Sequence, residues 1–235
     1  MQLLAFDTST ETLSVAVQAG ERVWVHEGAG GAQASHTLIP AVRALLAQAG
    51  LELAQLDAIA FGQGPGSFTG LRTACAVAQG LAFGARGGAG LPLLPVPTLM
   101  AVAEEARMAH GCGRMLAMLD ARMGEVYVGA YVWLAEAGCW HESEAAQLLA
   151  PRQVRVPEGW ASAGNARPVH GQALAAGTPD VAALPTARAL LALAPALLRQ
   201  GRAVTAQQAL PLYVRDKVAQ TSAERAAAAQ AARPA

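Results

Sequence analysis

The chain opens with a short apolar run, Leu3 to Phe6, closed by Asp7-Thr8-Ser9-Thr10, polar residues that hydrogen-bond their own backbone and turn it. Leu13 to Val17 then sets Leu and Val against Ser and Ala, and after Ala19-Gly20-Glu21 the alternation resumes at Val23 and Val25. A period of two on both sides of a turn predicts a hairpin, so the opening segment reads as three antiparallel strands. From Ser35 the period changes: Leu38, Val42, Leu45 and Ala49 fall at helical spacing, and Ile39, Ala41 and Leu46 form a second apolar strip. Such a helix needs two neighbours. Pro40 is expected close enough to its start to be tolerated, because first-turn N–H groups lack an intrahelical acceptor, and Gly50 supplies the stop.

Asp57 to Phe61 reads as a buried strand, followed by Gly62-Gln63-Gly64-Pro65-Gly66-Ser67 and a helix from about Thr69 to Phe83. Leu93 to Val96 adds a strand and Thr98 to Ala109 a helix. Met115 to Leu119, ending at Asp120, then repeats the strand, acid and turn of the N-terminus, and Glu125 to Leu134 alternates as the next strand. Between about Trp140 and Pro185 the periodicity is poor, with Pro and Gly implying short strands and loops. Ala187 to Arg199 predicts an Ala/Leu helix, Leu210 to Val214 a final strand-like piece, and Ala223 to Ala235 an Ala-rich tail expected to fray.

A β-β-β-α-β-α-β-α order with a partial recurrence implies an α/β protein of the actin/hexokinase-like (ASKHA, ribonuclease H-like) class, built from two related lobes. The expected division is an N-terminal lobe over residues 1–111, a smaller C-terminal lobe over 112–220 and a disordered tail over 221–235, with the boundary near Gly111 to Gly113. Gly84 to Gly90 is the competing linker, but the strand after it completes the β-α alternation of the first lobe.

Composition narrows what such a fold can do. Of 235 residues, 53% are hydrophobic and 14% charged, enough apolar surface for a packed core. Lys plus Arg equals Asp plus Glu at 17 each, so no excess of cationic charge advertises autonomous nucleic-acid binding. Cys75, Cys112 and Cys139 lie far apart without a CxxC pair, which suits reduced thiols. No basic leader and no apolar stretch of about 20 residues is present, so the expectation is a cytoplasmic protein without a membrane span.

Two segments could carry chemistry. Asp7-Thr8-Ser9 places a carboxylate beside hydroxyls and backbone N–H groups at a strand end, where a phosphate or its Mg2+ could be held; closing the hairpin turn accounts for the same residues without any ligand. Gly62 to Gly70 removes Cβ atoms ahead of a helix N-terminus, so that an anion or another chain could approach at Gly64, Gly66 and Ser67. It is neither a Walker loop, lacking the Gly-Lys-Ser/Thr, nor a dinucleotide GxGxxG. Asp120, Arg122, Glu125 and Tyr127 leave two readings open: a charged site at the lobe junction, or an ion pair bracing a strand end. His26, His36, His110, His141 and His170 include no pair at i,i+3 or i,i+4, so no helical metal clamp is expected, and His36 reads as a capping or packing residue.

Leu-Ala-Phe-Asp7-Thr-Ser-Thr, Ser35-His36 with Leu38 and Pro40, Gly62-Gln-Gly-Pro-Gly-Ser-Phe-Thr-Gly-Leu-Arg72, Asp120-Ala-Arg122 with Glu125-Val-Tyr127, and Tyr213-Val-Arg215 occur in order over nearly the whole chain, and together they resemble the TsaB (YeaZ) family. The long glycine segment is the most specific of these; Tyr213-Val-Arg215 alone would mean little. The resemblance implies a non-catalytic, cytoplasmic subunit that binds and activates a TsaD-type transferase, with a TsaE-type ATPase joining. That assembly forms threonylcarbamoyladenosine at position 37 of ANN-decoding tRNAs, and the tRNA is met only through the complex. No intrinsic cofactor or metal is implied, while ATP or ADP at the complex interface and a homodimer of the isolated chain stay open.

The expected partner surface is the pair of first-lobe helices, with Ile39, Val42 and Leu46 on one and Thr73, Val77 and Gly80 on the other, packing as half of a four-helix bundle. Apolar strips are more often covered within the same chain, and it is the resemblance that favours a partner. Two alternatives remain: a small-molecule kinase of the same fold, for which Ala163-Gly164-Asn165 is the nearest, weak adenosine motif, and a homodimeric binding module using the same helices.

Overall fold

The computed structural model describes residues 1–88, 90–174 and 179–215. The first lobe contains β1 (Gln2–Asp7), β2 (Thr12–Ala19), β3 (Arg22–Ala29), α1 (Ala34–Ala49), β4 (Ala58–Gly64), α2 (Phe68–Gly84), β5 (Leu93–Pro97) and α3 (Thr98–His110). The second contains β6 (Arg114–Asp120), β7 (Val126–Leu134), β8 (Cys139–Leu149), β9 (Ala161–Gly164), α4 (Ala166–His170), β10 (Asp180–Ala182) and α5 (Ala187–Arg199).

The sheets run β3-β2-β1-β4-β5 and β8-β7-β6-β9-β10. In each, three antiparallel strands are followed by two that run parallel to the first. The recurrence is therefore complete in topology, and Asp7 and Asp120 end equivalent strands. This is the actin/hexokinase-like α/β fold that the element order predicted.

Why the first strand is apolar at each position from Leu3 to Phe6 follows from its place in the layers. Leu4 and Phe6 face a cluster beneath α1 and α2, while Leu3 and Ala5 face the central cluster with α3 and α5. A strand buried on both faces shows no alternation. In the second lobe Met115, Ala117 and Leu119 join the central cluster and Leu116 and Met118 a smaller outer one. The shared core lies between the sheets, where α3 packs against β6 and β7 of the second lobe and α5 against β1 and β2 of the first. The Ser14 hydroxyl accepts from the Ala187 N–H at 2.8 Å, pinning the start of α5 to β2. The sheets fall on either side of residue 111, but α5 and the segment from Val204 to Arg215 return to the first lobe.

Several expectations differ from the structure. Pro40 is the seventh residue of α1, beyond the first turn; it is exposed, on the side of the helix away from the sheet. Residues 140–149, expected to be irregular, complete the eleven-residue β8. Register shifts at Val128, Ala130 and Tyr131 in its pairing with β7 disturb the alternation that would have revealed it. Leu210 to Val214 is no strand. It is extended chain held by the Leu212 N–H donating to the Gln63 carbonyl at 2.8 Å and the Gln63 amide donating to Leu210 at 3.0 Å, while the sheet bridge forms earlier, at Val204 and Leu93. The Ala-rich tail lies outside the described residues. Among the described residues no helix is long and apolar enough to cross a membrane.

Candidate functional site

The two strand-end acids meet different fates. Asp7 is fully buried, its Oδ1 accepting from the Ser9 N–H at 2.8 Å and the Ser9 hydroxyl at 2.6 Å, while Oδ2 has no hydrogen-bond partner. Burial raises its pKa from 3.8 to about 6, outweighing the lowering effect of the Ser9 bonds. The glycine segment explains how it fits: a Cβ on Gly62 would collide with Asp7, and one on Gly70 would lie 1.8 Å from the Thr8 carbonyl, where the Thr8 hydroxyl also donates to Gly70 O at 2.7 Å. The glycines are thus used to seat the β1–β2 turn on the start of α2. Ser67 caps that helix by accepting from the Gly70 N–H at 3.4 Å, and its own N–H donates to Ser9 O at 2.7 Å. Gly64 N–H donates to the buried Thr98 hydroxyl at 3.1 Å.

A cleft of about 290 Å3 opens between the lobes, lined by Ser9, Gly66, Ser67 and Phe68 of the first lobe, by Asp120, Arg122 and Asn165 of the second, and by the returning segment Leu212 to Arg215. Asp7, Thr8 and Gly64 are not in its wall. The structure therefore separates the expected phosphate-loop residues: Ser9, Gly66 and Ser67 reach the cleft, and the acid lies beneath it.

Asp120 is engaged from three sides. Its Oδ1 lies 3.0 Å from His170 Nε2 and accepts from the Arg122 N–H at 3.1 Å, Oδ2 lies 3.6 Å from Arg122 Nε, and its own N–H donates to Asn165 Oδ1 at 2.8 Å. Arg122 also pairs with Glu11 across the lobes. Arg215 donates to Glu125 at 2.8 Å and to the Ala121 carbonyl at 2.9 Å. These contacts hold Arg122 and Met123 at φ 62° and 55°, a left-handed conformation that non-glycine residues adopt at a cost of about 1 kcal/mol or more each. On the first-lobe wall Arg72 stacks 3.8 Å over the Phe68 ring and donates to the Tyr213 hydroxyl at 3.0 Å. The Asp120 cluster lies at the lobe junction, and its charges are paired there.

The sequence ties neither His170 nor Asn165 to Asp120: Asn165 stands there only in a weak adenosine motif and His170 as a lone histidine. Neither has a local signature, since they reach Asp120 from α4 and its cap across 50 and 45 residues of chain. Among the described residues no three His, Cys, Asp or Glu side chains converge as metal ligands.

The expected interface residues also divide. Ile39 is 44% exposed, Gly80 is exposed, Thr73 is half-buried, and Val77 is half-buried and packs against the core of the first lobe. Val42 and Leu46 are corrected: at 1% and 8% exposure they belong to the core beneath the helix. Residues from both strips of α1, namely Leu38, Ala41, Val42, Leu45 and Leu46, are buried in that core, which leaves less of the helix facing outward than its periodicity suggested.

The family model TsaD: tRNA N6-adenosine threonylcarbamoyltransferase matches residues 26–159. The tRNA threonylcarbamoyladenosine biosynthesis protein TsaB of Escherichia coli K12 is 36% identical, with 93% of this chain and 96% of that protein covered. The TsaB protein of Haemophilus influenzae is 38% identical over 93% of this chain and 95% of its own. The structure of YeaZ from Pseudomonas aeruginosa superimposes with a TM-score of 0.82 at 39% identity, covering 90% of this chain and 99% of that one. On a match of this extent at both sequence and fold level, the chain belongs to the TsaB family of tRNA threonylcarbamoyladenosine biosynthesis proteins.

Proposed function

We propose that this chain is a non-catalytic, cytoplasmic subunit that binds and activates a TsaD-type threonylcarbamoyltransferase through the outer face of α1 and α2, with a TsaE-type ATPase joining the pair. The tRNA is engaged by the assembly, not by this subunit alone. The observation that carries the reading is the composition of that face. Ile39 is 44% exposed and Phe83 67% exposed, and a Cβ on Gly80 would meet nothing within 4 Å. Small residues between apolar ones let two further helices approach closely, and the match to the transferase's own family model supports a partner whose lobe has the same helix pair.

The absence of catalysis is supported by the cleft, where each candidate group already has an internal partner. Ser9 donates to Asp7, Ser67 caps α2, His170 lies on Asp120, and Arg122 and Arg215 are matched with Glu11 and Glu125. The same observation argues against a kinase. Phosphate held at a loop needs backbone N–H donors aimed at it, and here the Ser9 N–H donates to Asp7, the Ser67 N–H to Ser9 O and the Gly70 N–H to Ser67. ATP or ADP required by the assembly would then be held where this chain meets its partners. The three free cysteines support a reducing compartment.

The test uses Gly80→Glu and Ile39→Glu in place of a change at Leu46, which lies in the core. Gly80 has open space and a non-glycine residue favours the helix, so the variant chain stays folded. The expected result is loss of co-purification with a TsaD-type transferase and loss of modified adenosine in an assay with transferase, ATPase and tRNA. Retained heterodimer in the folded double variant overturns the proposed face. Stable self-association without partner that the same changes abolish supports a homodimeric module instead. Turnover by the isolated chain overturns the non-catalytic reading.

A further inference from the structure

On the outer side of the second lobe three arginines from separate elements line one broad depression of about 870 Å3: Arg152, in the turn after β8, Arg155, two residues beyond that turn, and Arg167, on α4. The other described residues of its wall are the Gly171 to Leu174 turn, and among the described lining residues there is neither a carboxylate nor an aromatic ring. Chance clustering is poorly suited to explain this in a chain whose charges balance at 17 of each sign. The contrast with the interlobe cleft is specific: Arg122 and Arg215 are matched there with carboxylates, whereas among the described residues Arg152 and Arg155 have no ion-pair partner.

Two of the guanidinium groups are held in place by their surroundings. Arg155 Nη1 donates to the carbonyls of Arg152 at 2.6 Å and Val154 at 3.0 Å, which orients the group without neutralising it. Arg167 Nε lies 3.0 Å from Asp180 Oδ2, which fixes its direction from β10 and balances its charge, so the unmatched positive charge of the depression is that of Arg152 and Arg155. Grouped cations raise the local positive potential and repel one another, and an entering anion relieves that repulsion. A guanidinium fork matches the oxygens of a phosphate.

We infer that this depression is a contact site for the phosphate backbone of RNA, an inference that rests on the reading of this chain as a subunit of a tRNA-modifying assembly. Among the described residues the depression is open and has no walls that would enclose a free nucleotide. Its described lining offers no ring on which a base could stack, so the contact reads backbone and not sequence. It lies in the second lobe, away from α1 and α2, so RNA and the partner transferase can occupy the subunit together.

The test is a tRNA titration by fluorescence anisotropy over a salt series, on the assembly of this chain with the transferase, comparing wild type with Arg152→Ala/Arg155→Ala. Arg199→Ala/Arg202→Ala, which removes two exposed charges elsewhere, is the control. The expected result is a roughly 5- to 10-fold weaker Kd near physiological salt and a log K against log salt slope reduced by about 1 to 2 for the depression variant, with the control at wild-type values. Arg152→Glu alone, which leaves the Arg155 carbonyl contacts in place, weakens binding in the same direction. Unchanged affinity and slope in a folded variant overturn the inference. So does binding of inorganic phosphate or ATP that the variant loses while tRNA binding is kept, which marks a small-anion site. Failure of the wild-type chain to bind transferase defeats the functional reading and this inference with it, whereas unchanged tRNA binding by an intact variant assembly defeats this inference alone.

Discussion

A Cβ placed on Gly62 would lie 1.8 Å from Oδ2 of Asp7 on the neighbouring strand, so the end of β1 and the glycine of β4 fit together only as this pair. Gly62→Ala is therefore expected to destabilise the protein by roughly 2 to 4 kcal/mol in urea unfolding, through overpacking in a site without slack. Adding Asp7→Ala removes the colliding carboxyl, and the double variant should be more stable than the sum of the two single losses. Simple additivity would show that the collision is relieved elsewhere.

The buried Asp7 carboxyl also makes stability depend on pH. Its folded pKa, about 6, lies above the unfolded value near 3.8, so the native state holds the proton more tightly. The stabilisation from this group is fully present below the unfolded value, falls as pH rises to about 6 and is absent above it. A shift of two units corresponds to about 3 kcal/mol. Thermal or urea unfolding of wild type and Asp7→Asn between about pH 4 and 7 should show the wild type losing stability relative to the variant over that window. A constant difference would contradict the burial argument.

Glu104 is 1% exposed within α3, accepting from the Trp140 indole N–H at 2.8 Å and from Arg107 at 2.8 and 2.9 Å, and Arg107 in turn stacks 3.9 Å over Trp133. The carboxylate joins the last helix of the first lobe to β7 and β8 of the second. Glu104→Ala leaves the Trp140 N–H and Arg107 without it and is expected to cost about 3 kcal/mol, with Glu104→Gln costing less because an acceptor for Trp140 remains. Partner binding through α1 and α2 should be unaffected at temperatures where the variant is folded.

The two ion pairs at the lobe junction should differ in weight. Arg122 and Glu11 side chains are 68% and 76% exposed, so Glu11→Gln should change stability by less than about 1 kcal/mol. Arg215 is 11% exposed and also donates to the Ala121 carbonyl. Arg215→Ala should cost about 1 to 3 kcal/mol and speed amide exchange over residues 121–125, the turn it holds. Equal effects of the two changes would refute this ranking.

Much of the fold was legible because its signals are local. The apolar run ending at Asp7, its recurrence at Asp120, the helical spacing from Leu38 and the glycine segment before α2 each express a periodicity or a turn chemistry that neighbouring residues set by themselves. Where the pattern misled, a distant element had intervened. Bulges against β7 scrambled the alternation of β8, and the returning segment from Leu210 was recruited to Gln63 as extended chain instead of a strand.

The candidate site was half legible for the same reason. Asp120, Arg122 and Glu125 sit together in sequence, but His170, Asn165 and Arg215 join them from 45 to 95 residues away, and only the folding of the second lobe brings them there. Likewise the spacing of Val42 and Leu46 identified an apolar side of α1 without revealing that the core of its own lobe covers it.

What the chain's order of residues determined alone was its elements, their duplication and the family they belong to, because these follow from backbone preference and period. Which acid is buried, which arginine is paired, and which helical face stays open were decided by tertiary packing. Burial and charge pairing depend on what lies across the gap, and no residue carries that information in its own neighbourhood.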